Sequence, residues 1–124
     1  MTYLNDYALP SVTDDVLTAA LQQTRPFTLV ILKAGANFSP PGADRDPEVA
    51  KTIWEHGKRN YALRSAGLLR IVCPVADGSG VAGVGIFDAN AEEVERIMSE
   101  DPAVKAGVLA CEIHPTRTFP GDAL

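Results

Sequence analysis

The chain has 124 residues, a formal net charge of −5, 46% hydrophobic residues and 22% charged residues. These values are typical of one soluble globular domain. Lysines and arginines are scattered without forming a basic stripe, which argues against nucleic acid as a partner. No apolar run approaches the length of a membrane span, and the N-terminus lacks the basic-then-apolar order of a signal peptide. We therefore expect no membrane association and a cytoplasmic location.

Both cysteines, Cys73 and Cys111, lie inside apolar, strand-like runs. This placement predicts buried free thiols in a reducing compartment, with a disulfide between them as the less favoured alternative. The two histidines and the scattered acids show no metal-ligand spacing. We therefore expect no metal site.

The first third of the chain predicts an arm, a short helix, a strand and a loop. Residues 1–12 show no strong periodicity and form the arm. A helix begins after Thr13, a favourable N-cap, and its apolar residues share one face. The near-continuous apolar run 26–35 predicts a strand that is covered on both faces. The sequence ANFSPPGADRD then predicts a loop long enough to be a lid or rim.

Three favourable helix starts follow, at Asp46-Pro47, at Asn90 and at Asp101-Pro102. They predict helices over 47–66, which Gly67 ends, over the sequence AEEVERIM, and over one turn after Pro102. Apolar runs predict strands over 68–76, 81–89 and 107–115, the first two joined by the turn DGSG as a hairpin. Residues 116–124 are expected to form a tail.

Apart from the first helix, the predicted order is β-α-β-β-α-β. This order is that of the ferredoxin-like fold, an α+β architecture with a four-stranded antiparallel sheet and its helices on one face. The whole chain, 1–124, would form one domain, with its core at 26–115 and an arm and extra N-terminal helix at 1–25. Residues that alternate along 27–32 and 81–87 are apolar on both faces of the sheet. We expect a homodimer packed sheet to sheet, because the helices cover only one face.

Three segments, WEHGKRNYALRSAGLL, AEEVERIM and DPAVKAGVLACEIHP, resemble the YCII-like (YciI-related) family, which belongs to the dimeric α/β-barrel group of ferredoxin-like folds. The resemblance covers about 26–115. Its most specific parts are His56, eleven residues before Gly67, and the pair Asp101-Pro102 before the last strand. The resemblance implies that this histidine and this aspartate form the proposed active-site pair. It also implies lyase-type elimination on substituted aromatic rings, or small-molecule binding.

The chain departs from the family pattern in two places. The pair Cys73-Pro74 stands where many relatives have Gly-Pro after the second strand, and a helix is added at the N-terminus. These departures bear on the identity of the substrate more than on the fold.

Two polar residues interrupt the apolar stripe of the long helix, which contains Val49, Ile53, His56, Asn60 and Leu63. An imidazole can give or take a proton near neutral pH, but a histidine here could also simply bond a backbone carbonyl. Asp101 has a structural alternative as a helix N-cap, although a carboxylate can cap and also orient an imidazole. Asn60 could bind a substrate oxygen or satisfy a neighbour.

Other candidates have simpler structural explanations. Arg59 and Arg64 are expected to be solvated helix residues, although either could attract an anionic ligand. Trp54 and Tyr61 are expected in the core. The polar pair of Glu112 and His114, at the two-residue spacing of one strand face, is expected at the dimer interface or a sheet edge.

Three hypotheses of function follow from the sequence. The first is a lyase or isomerase that needs no cofactor, in which His56 acts as general acid or base and Asp101 orients it. Its small-molecule ligand, of cyclic or aromatic type, would lie between the sheet and the long helix, under the 35–46 loop. The second hypothesis is a non-catalytic module that binds a small molecule in the same pocket. The third is a purely structural dimer in which His56 only satisfies the core.

Overall fold

The computed structural model describes residues 8–119 and 121–122 of the chain. The parts of the predicted arm and tail at residues 1–7, 120 and 123–124 lie outside them. The elements are α1 (Asp14–Leu21), β1 (Arg25–Ala34), α2 (Pro47–Ser65), β2 (Leu69–Pro74), β3 (Val81–Phe87), α3 (Ala91–Ser99), α4 (Pro102–Lys105) and β4 (Leu109–Thr118). No helix in the described residues is long and apolar enough to cross a bilayer.

The four strands form one sheet in the order β2-β3-β1-β4, and every neighbouring pair is antiparallel. The α+β architecture with a four-stranded antiparallel sheet therefore agrees with the prediction and is compatible with a ferredoxin-like fold. β4 continues to Thr118, beyond the predicted end of the last strand, because it pairs with β1 back to Arg25. The additional residues of β4 pair with the first residues of β1.

The helix starts follow the capping residues that the sequence contains. The Asp46 carboxylate accepts hydrogen bonds from the backbone N–H groups of Glu48 (2.8 Å) and Val49 (3.4 Å) at the start of α2. At the other end of α2, Gly67 adopts a φ of 80°, a conformation that glycine reaches without steric cost. The chain therefore leaves α2 and enters β2 within three residues.

The hydrophobic core lies between one face of the sheet and the helices α2, α3 and α4. Its buried side chains come from all four strands or their flanks and from those three helices: Val30, Leu32, Val49, Leu69, Phe87, Val94, Met98, Ala103, Val108 and Leu109. Val94 and Ala103 are fully buried, so α3 and α4 are both anchored to the sheet. Burial of this apolar area is the main stabilising contribution to the fold.

The opposite face of the sheet is apolar at its centre and remains partly exposed. Leu29 and Ile31 of β1 lie beside Ile86 and Val84 of β3, and Ile71 extends this patch onto β2. The edge of the same face on β4 is polar, because Glu112 pairs with both Lys33 and His114. We call the five apolar residues of this face, Leu29, Ile31, Ile71, Val84 and Ile86, the open sheet face.

The loop between β1 and α2 is tied to the turn between α4 and β4. Backbone N–H groups of Gly35 and Asn37 donate to the carbonyls of Val108 and Gly107, both at 2.9 Å. The Asn37 side chain also donates to the carbonyl of Ala106 at 2.8 Å. A Cβ atom at Gly35 would overlap the Gly107 carbonyl oxygen, so only glycine permits this close approach. The loop therefore starts from a fixed position above the sheet.

Candidate functional site

A cavity of about 780 Å³ lies between α2, the β2–β3 hairpin and the loop at 35–46. This is the location that the sequence predicted for a pocket, and its volume is within the range of small-molecule sites. Its walls are mostly apolar, with Phe38 on the loop, Ile53 on α2, Val72 on β2 and Leu109 on β4. His56 and Asn60 contribute polar groups to the wall formed by α2.

The structure brings His56 and Asp101 together, although 45 residues separate them in the chain. The imidazole Nδ1 lies 2.7 Å from the Asp101 carboxylate oxygen Oδ2. Both residues are buried: His56 is 8% exposed and Asp101 is fully buried. The bond joins the middle of α2 to the start of α4.

Asp101 caps a helix and orients the imidazole at the same time. Its Oδ1 accepts hydrogen bonds from the backbone N–H groups of Ala103 (2.9 Å) and Val104 (3.3 Å), which cap α4. Its other oxygen is left for His56. Asp101 therefore has both of the roles that the sequence left open, helix cap and partner of the imidazole. A carboxylate has enough acceptor positions for both.

The Nε2 atom of His56 lies beside another residue of the cavity wall. Asp101, which bonds Nδ1, does not line the cavity, whereas Asn60, whose amide Nδ2 lies 3.1 Å from Nε2, does. With a neutral ring, Nδ1–H donates to the carboxylate and Nε2 accepts from the Asn60 amide. Nε2 is thus the ring nitrogen on the side of the cavity wall, and in this tautomer its lone pair can accept a proton.

Arg59 is a component of the site that the sequence did not predict. The interpretation as a solvated helix residue is wrong, since only 27% of its side chain is exposed. Its Nη2 donates to the Ile97 carbonyl of α3 at 2.6 Å, and its Nη1 lies 3.7 Å from Asp101 Oδ2. Nη1 is buried without a hydrogen-bond partner among the described residues. Its position three residues after His56 was the available signal, because residues at that spacing are neighbours on a helix.

Asp101 is ionised at neutral pH. Burial raises the pKa of its carboxyl, but the hydrogen bond and charge of His56 and the two backbone N–H bonds of α4 outweigh burial and hold that pKa below its ordinary value. The guanidinium of Arg59 adds a positive charge nearby. A buried carboxylate with these partners can stabilise an imidazolium that forms beside it.

The surroundings of Cys111 disfavour its thiolate form. Burial first, and then the negative charge of Asp101, raise the pKa of the Cys111 thiol to about 11. The thiol is therefore protonated at neutral pH and is not a thiolate nucleophile. Cys73 is exposed rather than buried, because it lies on β2 at the edge of the sheet, and both cysteines are free.

The remaining candidates are outside the His56–Asp101 pair. Trp54 and Tyr61 are 70% and 68% exposed, so their prediction as core residues is wrong, although Tyr61 lines the cavity. His114 lies 3.4 Å from Glu112 on the polar edge of the sheet. The described residues contain no group of three or more His, Cys, Asp or Glu that could hold a metal ion.

No protein-family model matches the chain, and no curated protein sequence matches it. The interpretation of the site therefore depends on its own geometry.

Replacement of Asp101 by Asn should destabilise the protein in a pH-dependent manner. The folded-state pKa of Asp101 lies below the unfolded value, so its stabilising contribution is present above about pH 4 and is lost as pH falls through the folded-state pKa. We expect Asp101→Asn to lower the free energy of unfolding by about 1–3 kcal/mol at pH 7 and by less at pH 3. Urea unfolding followed by circular dichroism at pH 7, 5 and 3 measures this difference.

Asp46→Asn is the matched control. Asp46 caps α2 by accepting hydrogen bonds from two backbone N–H groups, as Asp101 caps α4, but it has no imidazole partner among the described residues. It separates the loss of a capping carboxylate from the loss of the buried pair. A deficit for Asp101→Asn that is equally large at pH 7 and pH 3 would contradict the proposed ionisation of Asp101.

Proposed function

We propose that the chain is a small enzyme of the lyase or isomerase type, in which His56 moves a proton and Asp101 orients it. One observation carries the proposal: the imidazole is bonded through Nδ1 to a buried carboxylate, and its Nε2 lies beside Asn60 in the wall of a cavity of about 780 Å³. A base that is oriented by a third group is a recurring arrangement in acid–base and nucleophilic catalysis. Proton transfer of this kind needs no cofactor.

The proposed reaction begins when Nε2 of His56 takes a proton from a carbon next to an electron-withdrawing group. The electrons of the broken C–H bond form a double bond or a delocalised anion, and Asp101 stabilises the imidazolium. In an elimination, the bond to the leaving group breaks and the imidazolium can protonate that group. In an isomerisation, the imidazolium returns the proton to a different carbon. Either sequence leaves His56 in its starting state.

Asn60 can serve both protonation states of the imidazole. In the neutral state its amide nitrogen donates to Nε2 at 3.1 Å. In the protonated state Nε2 becomes a donor, and rotation of the amide brings its oxygen into the same position. We propose that the Asn60 amide bonds Nε2 until a ligand displaces the amide from that position. Asn60 can then bind a substrate oxygen.

The second candidate function is a non-catalytic module that binds a small molecule in the same cavity. The contact between Asn60 and Nε2 favours it, since the lone pair that a base would use already accepts a hydrogen bond. The apolar walls would suit a ligand in either case. The two functions differ in whether His56 is required for turnover or only for the shape of the cavity.

We further propose that the chain is a YCII-like protein that forms a sheet-to-sheet homodimer, as in dimeric α/β barrels. The arrangement of the strands and the position of His56 and Asp101 support the family. The open sheet face supports the dimer, because a second copy of this face would cover its apolar centre. The two free cysteines are in keeping with a reducing compartment such as the cytoplasm.

Replacement of His56 should strongly lower turnover without abolishing the fold. Small cyclic and aromatic compounds with a leaving group next to an acidic C–H form the screening panel. For a compound that the protein converts, we expect His56→Ala to lower kcat about 10²- to 10⁴-fold, because the positioned base is lost. Steady-state kinetics measures kcat, and circular dichroism verifies that the variant is folded.

Glu55→Gln is the control, since Glu55 precedes His56 on α2 and is exposed. Added imidazole should restore part of the activity of His56→Ala, which a purely structural role would not allow. Unchanged turnover in His56→Ala would exclude the acid–base function and leave the binding module.

Mutation of the open sheet face should dissociate the dimer. We expect light scattering at micromolar concentration to give twice the chain mass of 13.2 kDa, and Ile86→Glu to give the mass of one chain. A buried, unpaired carboxylate in the middle of the interface would oppose association. Trp54→Gln, at an exposed position on α2, is the control and should leave the mass unchanged. A single-chain mass for the unmodified protein would exclude the dimer.

A further inference from the structure

The charged residues that line the cavity are of one sign. Its walls contain Arg45 from the loop and Arg64 from α2, and among the residues that the structure describes no aspartate or glutamate lines it. The chain as a whole carries a formal net charge of −5, so the sign of these two charges is opposite to that of the net charge. The carboxylate of Asp101 does not line the cavity, because it bonds Nδ1 of His56 and is fully buried.

Neither arginine has a carboxylate partner within the part of the chain that the structure describes. By contrast, Arg25, Arg70 and Arg96 each lie next to Asp88 or Glu92. Two unpaired guanidinium groups at the wall of a mostly apolar cavity are available to an external anion. Arginine binds carboxylates through two parallel hydrogen bonds, which gives such a contact both strength and direction.

The loop holds Arg45 in place while leaving its terminal nitrogens available. Its Nε donates to the Ser39 carbonyl at 3.0 Å, and its guanidinium lies 5.7 Å from the centre of the Phe38 ring. The side chain is half-buried, whereas Arg64 is exposed. The two arginines therefore reach the cavity from different elements, Arg45 from the loop and Arg64 from α2.

The position of Arg64 relates the anion to the proposed base. His56, Asn60 and Arg64 follow one another at intervals of four residues, so they lie on one stripe of α2. Eight residues of helix span about 12 Å, and the flexible arginine side chain shortens the distance to the ligand. A molecule the size of one or two rings can reach from the guanidinium to Nε2.

We infer that the cavity binds an anionic small molecule with an apolar body, whose carboxylate is held by Arg45 and Arg64 while its ring faces His56. This inference rests on the proposed function of the cavity and specifies the class of its ligand. Ile53, Val72 and Leu109 contact the apolar body. The arginines fix its orientation, so that the C–H bond to be broken lies at Nε2.

Binding of two probes of equal shape tests the inference. 2-Naphthoate is an anion at pH 7, and 2-naphthamide is its neutral counterpart. We expect calorimetry at low ionic strength to show that the unmodified protein binds the naphthoate about tenfold or more tightly than the amide, since a hydrogen bond between charged groups is the stronger one. NMR shifts of backbone amides in α2 and the loop should locate both probes in the cavity.

The variant Arg45→Gln/Arg64→Gln should reduce the preference to about threefold or less, because it lacks both cations. Lys58→Gln/Arg96→Gln is the matched control, since it removes two positive charges from exposed positions that do not line the cavity. Retention of the preference in the Arg45/Arg64 variant would overturn the inference, as would its loss in the control.

The test also separates this inference from the proposed function. Equal affinities of the unmodified protein for the two probes would overturn the anionic class and leave the cavity and the role of His56 intact. Absence of binding for both probes up to about 10 mM would overturn the inference together with the proposed ligand-binding cavity. The kinetic effect of His56→Ala does not depend on either result.

Discussion

The hydrogen bond between His56 and Asp101 is the constraint on which the rest of the site depends. It crosses from α2 to α4, and it buries a carboxylate that would be strongly disfavoured without partners. Two backbone N–H groups of α4, the imidazole and the nearby Arg59 provide those partners. The same bond sets the orientation of the ring, so the stability of α4 and the availability of Nε2 are coupled.

The site has an electrostatic asymmetry that follows from this bond. The negative charge lies behind the imidazole, within the core, where it can stabilise an imidazolium. The positive charges of Arg45 and Arg64 lie on the walls of the cavity, where an anionic ligand can meet them. The buried position of Asp101 strengthens its interaction with the imidazole, whereas the more exposed arginines remain accessible to a ligand. A cationic ligand would not form the contact with the arginines.

The local features of the sequence predicted the fold well, because they act over short distances. The capping residues Asp46, Asn90 and Asp101 gave the helix starts, and the apolar runs gave the strands. The proximity of His56 and Asp101 could not be derived from their spacing. It came from the fold and from the family resemblance.

Other properties of the site depended on tertiary packing and were missed. Arg59 was interpreted as solvated, but α3 lies against it and supplies the Ile97 carbonyl. Trp54 and Tyr61 were assigned to the core, yet α2 presents them to solvent because its buried face is narrow and includes Val49 and His56. Helical periodicity gives the faces of a helix, whereas the neighbouring elements determine which face is covered.

The tautomer of neutral His56 tests the central claim most directly. Nitrogen-15 NMR of the imidazole at alkaline pH, where histidine side chains are neutral, identifies the protonated nitrogen. The geometry predicts a proton on Nδ1, directed at Asp101, and an unprotonated Nε2. His114, whose Nε2 faces Glu112, is an internal reference that should carry its proton on Nε2. A proton on Nε2 of His56 would contradict the account, because the cavity would then meet a donor in place of a base.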